Sequence, residues 1–223
     1  MISGKIIDLT AEIYDRAPTM PMDPKCSVME HCNLDTLGYN LTRLTISTHQ
    51  GTHVDAPFHF FYDGQTVDKI DLSRYIVRAV KADLTYKKPK EAIMVADLLE
   101  YGHFIDEGLS LLLHTGWDKK MDQKEFFSDS PYISVELAKW FAQKKVKLIG
   151  MDVPCPNISD WTIIHQTLLG NSVLIVEGLV NMEEIDDREF TFIALPLKIR
   201  GRDGSPVRAI AVMDKIIGPA VII

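Results

Sequence analysis

The chain is 223 residues long, with 46% hydrophobic and 25% charged residues and a formal net charge of −7. That length suits one domain spanning residues 1–223 better than two. The negative balance argues against nucleic acid or an anionic membrane surface as the main partner, and no apolar run reaches the about 20 residues of a membrane span.

Lys5 to Leu9 reads as a short strand, and residues 14 to 24, with Pro18, Pro21 and Pro24, read as loop. The N-terminus lacks the apolar stretch of a signal peptide. Cys26, Cys32 and Cys155 make an odd count that fits no disulfide framework and suggests a reducing compartment, so a cytoplasmic protein is expected. Leu44 to Thr48 alternates apolar and polar residues with β-branched ones, and a strand is predicted over Asn40 to Thr48.

Directly after it, three of the seven histidines and an aspartate fall within residues 49 to 59: His49, His53, Asp55 and His59. Imidazole and carboxylate together suit zinc and related transition metals. A metalloprotease-type helix is rejected, because Gln50 stands at the glutamate position, Gly51 follows and Pro57 would break it. The expected setting is the strand end and the tight loop after it.

Further on, Ile76 to Leu84 reads as a strand, and Val95 to Tyr101 as a short helix ended by Gly102. Leu109 to His114 reads as a strand, and Ser134 to Lys145 as a helix capped by Ser134. Val146 to Met151 reads as a buried strand with Asp152 at its end, either orienting a ligand or capping a turn. Alternation of strands and helices implies an α/β fold. Trp161 to Leu169 predicts a helix carrying His165. Val173 to Val176 predicts a buried strand closed by Glu177, and a lone buried carboxylate is costly unless paired or metal-bound. Residues 183 to 189 are acidic and expected on the surface. Phe190 to Leu195 reads as a strand, and Pro196 to Ala211 as a hairpin around Asp203-Gly204.

His49-x-Gly-Thr-His53-x-Asp55-Ala-Pro-x-His59 resembles the signature of the cyclase-like metal-dependent hydrolases, which include bacterial kynurenine formamidases and isatin hydrolases. His165-x-x-Leu168-Leu169-Gly170, followed by Glu177-Gly178-Leu179, resembles a second segment of that family. The resemblance runs over nearly the whole chain. It implies a mixed-sheet α/β domain with a barrel-like β core and flanking helices, and a homodimer or higher homo-oligomer. It also implies that His49, His53 and Asp55 hold one metal and that Asp55, His165 and Glu177 hold a second. His59 is left to carry the proton from the attacking water to the leaving nitrogen.

Zinc is the first expectation, up to two per subunit, with manganese next. The implied activity is hydrolysis of a small-molecule amide, arylformamidase-like or, alternatively, opening of a cyclic amide as in isatin hydrolases. Two histidines and a carboxylate also describe a non-haem iron site, and a metal-binding protein without catalysis is the non-enzymatic alternative. In the family's proline-rich loop an aromatic residue and a glycine are replaced here by Met20 and Met22. His114 precedes a family-like Thr115-Gly116-Trp117 turn but is expected to be no ligand, as are His31 and His103.

Overall fold

The computed structural model describes residues 4–106, 108–186 and 189–213. In chain order the strands are β1 (Ile6–Asp8), β2 (Ser27–Cys32), β3 (Leu41–Thr45), β4 (His53–Asp55), β5 (Ile76–Asp83), β6 (Ala92–Ile93), β7 (Ser110–His114), β8 (Tyr132–Ile133), β9 (Leu148–Met151), β10 (Leu174–Glu177), β11 (Glu189–Pro196) and β12 (Gly204–Val212). The helices are α1 (Leu34–Leu37), α2 (Gly102–Asp106), α3 (Val135–Gln143) and α4 (Trp161–Gly170).

Seven strands run side by side in the order β12-β11-β5-β7-β9-β10-β4, and β4 then pairs with β12, which closes the ring into a mixed barrel. β5, β7, β9 and β10 are parallel neighbours. Parallel neighbours need long crossovers, and here those crossovers carry the helices. The other pairings are antiparallel, and β1 adds to the outside of β12. Closure leaves these seven strands without a free edge.

Period-two alternation sorts side chains between two cores. Leu111 and Leu113 of β7 join Leu137, Phe141, Ile164 and Leu168 under the helices. Leu112, between them, joins Val54, Val176, Phe190 and Phe192 on the opposite face, inside the ring. α3 begins as its sequence suggests: Leu137 N donates to Ser134 Oγ at 3.1 Å, and Leu137, Ala138 and Phe141 are buried.

Three expectations need correction. The strand at Leu41–Thr45 does not feed the histidine signature into the barrel. It pairs with β2 in a separate two-stranded arm, and all five of its residues are exposed. The signature supplies its own strand, β4, three residues long and wholly buried between β10 and β12. Local alternation could not separate a strand in an exposed arm from one in the barrel; the partners decide.

Gly102 does not end the helix before it. It is right-handed, and the chain passes from a 3-10 stretch at Val95–Tyr101 straight into α2. The left-handed turn comes at Gly108, φ 83°, where glycine carries no Cβ penalty. β11 and β12 do form a hairpin, but Pro196 pairs with Val207. Asp203-Gly204 is therefore not its tip: Gly204 opens β12 opposite Asp55 of β4. Of the acidic stretch, Glu183, Glu184 and Asp186 are exposed, while positions 187 and 188 lie outside the described residues.

Candidate metal centre

Register builds the site. On β4, His53 and Asp55 point to one face and Val54 to the other, as any strand requires. Antiparallel pairing sets Glu177 opposite His53 and Ile175 opposite Asp55. The three polar residues thus share the helix side of the sheet, where α4 brings His165 against them. A slip of one residue would replace this face by Val54 and Val176. Gly178 permits the approach: its φ is 64°, and a Cβ there would lie 2.6 Å from Gly51 O.

Asp55 is at the centre and 1% exposed. His49 Nδ1 lies 2.9 Å from its Oδ1, His53 Nε2 3.6 Å from Oδ1, and His165 Nε2 3.4 Å from Oδ2. Glu177 stands beside it, with Oε2 3.4 Å from His53 Nε2 and Oε1 3.4 Å from His165 Nε2. Despite this crowding, both Asp55 oxygens and Glu177 Oε1 are buried without a well-directed hydrogen bond. Buried carboxylate oxygens left in that state cost several kcal/mol unless a cation meets them.

The imidazoles are turned for the same purpose. His53 Nδ1 lies 2.9 Å from Gly51 O and His165 Nδ1 2.6 Å from Trp161 O. A carbonyl accepts only from N–H, so Nδ1 carries a proton, and Nε2, the nitrogen turned to the carboxylates, is the one left with a free lone pair once the imidazole is neutral. That tautomer is the one a metal needs. His59 stacks on His49, ring centroids 4.0 Å apart, and Phe60 stacks on His165 at 4.5 Å.

Donor atoms of His49, Asp55 and His59 lie within 4.8 Å of one another, and so do those of Cys155, His165 and Glu177. His59 thus stands with His49, and His53 stands between Asp55 and Glu177. The donor set fits one or two divalent cations.

Electrostatics agree. Burial opposes charge on His49, but Asp55 and the hydrogen bond to Asp203 outweigh it and push its pKa up to about 10. Burial likewise opposes His165, yet Asp55 and Glu177 raise it to about 10. Asp55 is held well below the carboxylate range, because His49 and His165 overcome its burial. An entering cation would replace the protons on these imidazoles. His59 goes the other way: burial lowers its pKa, so its neutral form is favoured.

Asp203 was read from sequence as a turn residue, yet it belongs here. Its Oδ2 accepts from Thr48 Oγ1 at 2.8 Å and lies 2.7 Å from His49 Nε2. His49 therefore presents Nδ1 to Asp55 while Asp203 holds the far nitrogen. Gly204 must be glycine, since a Cβ would lie 2.7 Å from Val54 O and 2.9 Å from His49 Cε1. Carboxylates that orient a ligating imidazole typically contribute a factor of ten to a hundred in metal affinity. Asp203→Asn is accordingly expected to weaken metal retention by about 10–100-fold in competition with a chelator. Unchanged retention would reduce Asp203 to a loop residue.

Other candidates lie elsewhere. Asp152, wholly buried, accepts from Thr115 N, Thr115 Oγ1, Gly116 N and Trp117 N at 2.6–3.3 Å. It caps that turn, while burial pushes its pKa up to about 7 against those bonds. The charges acting on His114 come from Lys81, Asp118, Asp83 and Glu183. His31 and His103 are exposed. Cys26 and Cys32 donate to Tyr14 O and Tyr39 O, away from the cluster.

The fold and the site together define a closed mixed barrel bearing on its helix side a buried histidine–carboxylate cluster that could hold a metal. The chain belongs to the Cyclase family, whose model matches residues 7–157. It is 33% identical over 214 residues to the kynurenine formamidase of Bacillus cytotoxicus, covering 94% of this chain and 98% of that one. Among solved structures it resembles one described as "Potential Metal-Dependent Hydrolase With Cyclase Activity", with 25% identity, TM-score 0.78 and coverage of 94% and 98%. Isatin hydrolase A from Ralstonia solanacearum shares the fold, with TM-score 0.84 at 22% identity over 94% of this chain and 92% of that one. Among the described residues no helix is long and apolar enough to cross a membrane.

Proposed function

We propose that this chain is a metal-dependent hydrolase of an aryl amide, cleaving N-formylkynurenine to kynurenine and formate as its kynurenine formamidase relatives are named for doing. The observation that carries the reading is the set of buried oxygens on Asp55 and Glu177, without hydrogen-bond partners, facing Nε2 of His53 and His165. His49, His53, Asp55, His165 and Glu177 would hold zinc, or manganese as second choice, with both oxygens of Asp55 serving the two halves of the site. Bound there, the metal supplies Lewis-acid polarisation of the amide carbonyl and lowers the pKa of a water.

The chain's own groups do the rest. His59 is kept neutral by burial and accepts a proton from water as the water's oxygen adds to the formyl carbon. It returns that proton to the nitrogen as the C–N bond breaks, so formate and a free arylamine leave. His49, stacked on it, fixes the plane of its ring.

The aromatic residue missing at Met20 is made good elsewhere. Phe126, Phe127 and Trp161 line the cavity together with Met20 and Met121, and rings and thioethers suit a flat aromatic substrate. Gln50 Nε2 donates to Pro18 O at 2.9 Å and ties the proline-rich loop over the site. The iron reading fits less well, because its triad leaves His165 and Glu177 without a part.

The reading includes a homo-oligomer. The β2–β3 arm exposes Met29, Leu34, Leu37, Tyr39, Leu41 and Leu44, and a two-stranded hairpin is marginal alone. A second copy would cover it, and a solution mass of one chain would end that part.

The deciding experiment is elemental analysis of purified protein paired with an N-formylkynurenine assay. Bound zinc or manganese with release of formate is expected. Metal with turnover of isatin alone would move the reading to a cyclic amide, and metal without any hydrolysis would leave a binding protein.

A further inference from the structure

Cys155 has no part in the chemistry above. It lies in the segment Asp152-Val153-Pro154-Cys155-Pro156 that leaves β9, and it is 4% exposed. Its sulfur is one of three donor atoms, with those of His165 and Glu177, that lie within 4.8 Å of one another. It also lines the same cavity as His53 and Asp55. The other two cysteines spend their thiols on backbone carbonyls, Tyr14 O at 3.2 Å and Tyr39 O at 3.7 Å. The Cys155 sulfur instead lies beside the donor atoms of His165 and Glu177.

A second, independent sign stands beside the sulfur. Glu177 Oε1 is buried, has no hydrogen-bond partner and lies 3.4 Å from His165 Nε2. His165 has its other nitrogen tied to Trp161 O. A thiol, an imidazole nitrogen and a buried carboxylate oxygen without a hydrogen-bond partner converge here. Sulfur, nitrogen and oxygen donors are the ligand types that zinc takes.

We infer that Cys155 is a further ligand of the metal held by His165 and Glu177, and that it biases this position toward a thiophilic divalent ion, zinc or cobalt, over manganese. The inference rests on the metal-centre reading above. Thiolate is a soft ligand that favours zinc, whereas manganese prefers oxygen donors. As the sulfur–metal bond forms, the S–H bond breaks and its proton passes to solvent, with no change of oxidation state. Were Cys155 merely a small buried hydrophobe, serine in its place would leave metal preference untouched.

The test is titration of the metal-free full-length chain with cobalt(II), followed by absorption spectrum and by cobalt bound per chain. Three proteins are compared: wild type, Cys155→Ser, and a Cys26→Ser/Cys32→Ser double variant that keeps Cys155 as its one thiol. Wild type and the double variant are expected to show a near-ultraviolet sulfur-to-cobalt charge-transfer band. Cys155→Ser should bind cobalt without that band, and its preference for zinc over manganese should fall by about tenfold. Should Cys155→Ser fail to fold, the double variant still decides, since its thiolate band has only one possible source. Full cobalt binding by wild type with no band, or a band that survives Cys155→Ser, overturns the assignment and leaves the metal centre standing. Failure of wild type to take up cobalt at all overturns the metal centre, and the assignment with it.

Discussion

Asp55→Asn is expected to empty the site: bound metal below about a tenth of wild type and turnover down by about 10³-fold or more. Asparagine keeps the shape of the side chain, so steric loss is small and the change isolates charge. Three imidazoles approach Asp55 within 3.6 Å, and its two oxygens face different groups, Oδ1 toward His49 and His53 and Oδ2 toward His165. Glu177 also spans the two halves, meeting His53 and His165, but of the three carboxylates here Asp55 is the one that meets all three imidazoles, since Asp203 meets His49 on its far side.

Thermal melting adds a readout independent of catalysis. A metal that binds only the folded chain stabilises it by about 2.7 kcal/mol at a hundred times its dissociation constant. Added zinc should therefore raise the melting temperature of metal-stripped wild type by several degrees, on the order of 2–4 °C per kcal/mol for a chain of this size. It should leave Asp55→Asn unmoved. Full metal content in Asp55→Asn would mean that the remaining donors suffice, and the central role given to this carboxylate would be wrong.

Much of this site is legible in the sequence because its donors are chemically unusual where they stand. Four ionisable residues packed around a glycine and a proline, and a glutamate closing an apolar strand, are visible without coordinates. His165 and Glu177 could be joined to the signature only by resemblance. The physical link, antiparallel pairing of Glu177 with His53, is a long-range contact that no local pattern encodes.

Asp203 was missed for the opposite reason. Asp-Gly is a strong turn signal, and that local meaning masked it, while the pairing of Gly204 with Asp55 gives the aspartate its role. β4 is too short for its period to be read. The alternation at Leu44 to Ser47 runs past the end of the arm strand Leu41–Thr45, whose residues are all exposed and have no buried face for it to mark. Longer strands such as β5 and β7, and the capped helix α3, follow their patterns because burial on a face and local capping agree there.

His59→Ala is expected to cut turnover by about 10²–10⁴-fold, the usual contribution of a general acid–base, while the protein keeps its full complement of metal. His59 is the histidine of the signature whose neutral form burial favours, whereas His49 is held charged by Asp55 and Asp203. A proton carrier must be free to gain and lose its proton. His49, clamped between two carboxylates at 2.9 and 2.7 Å, is not free in that sense. Position argues the same way, for His59 ends the short turn Pro57–His59 that follows β4 and stacks across the His49 ring.

Its nearness to His49 and Asp55 makes the competing role specific: His59 as a ligand. Metal analysis of His59→Ala separates the two. Full metal with lost turnover supports proton transfer. Loss of about half the metal from a two-ion site would make His59 a ligand. In that event the proton would have to travel by another group, and the reaction assigned to this site would need a different base.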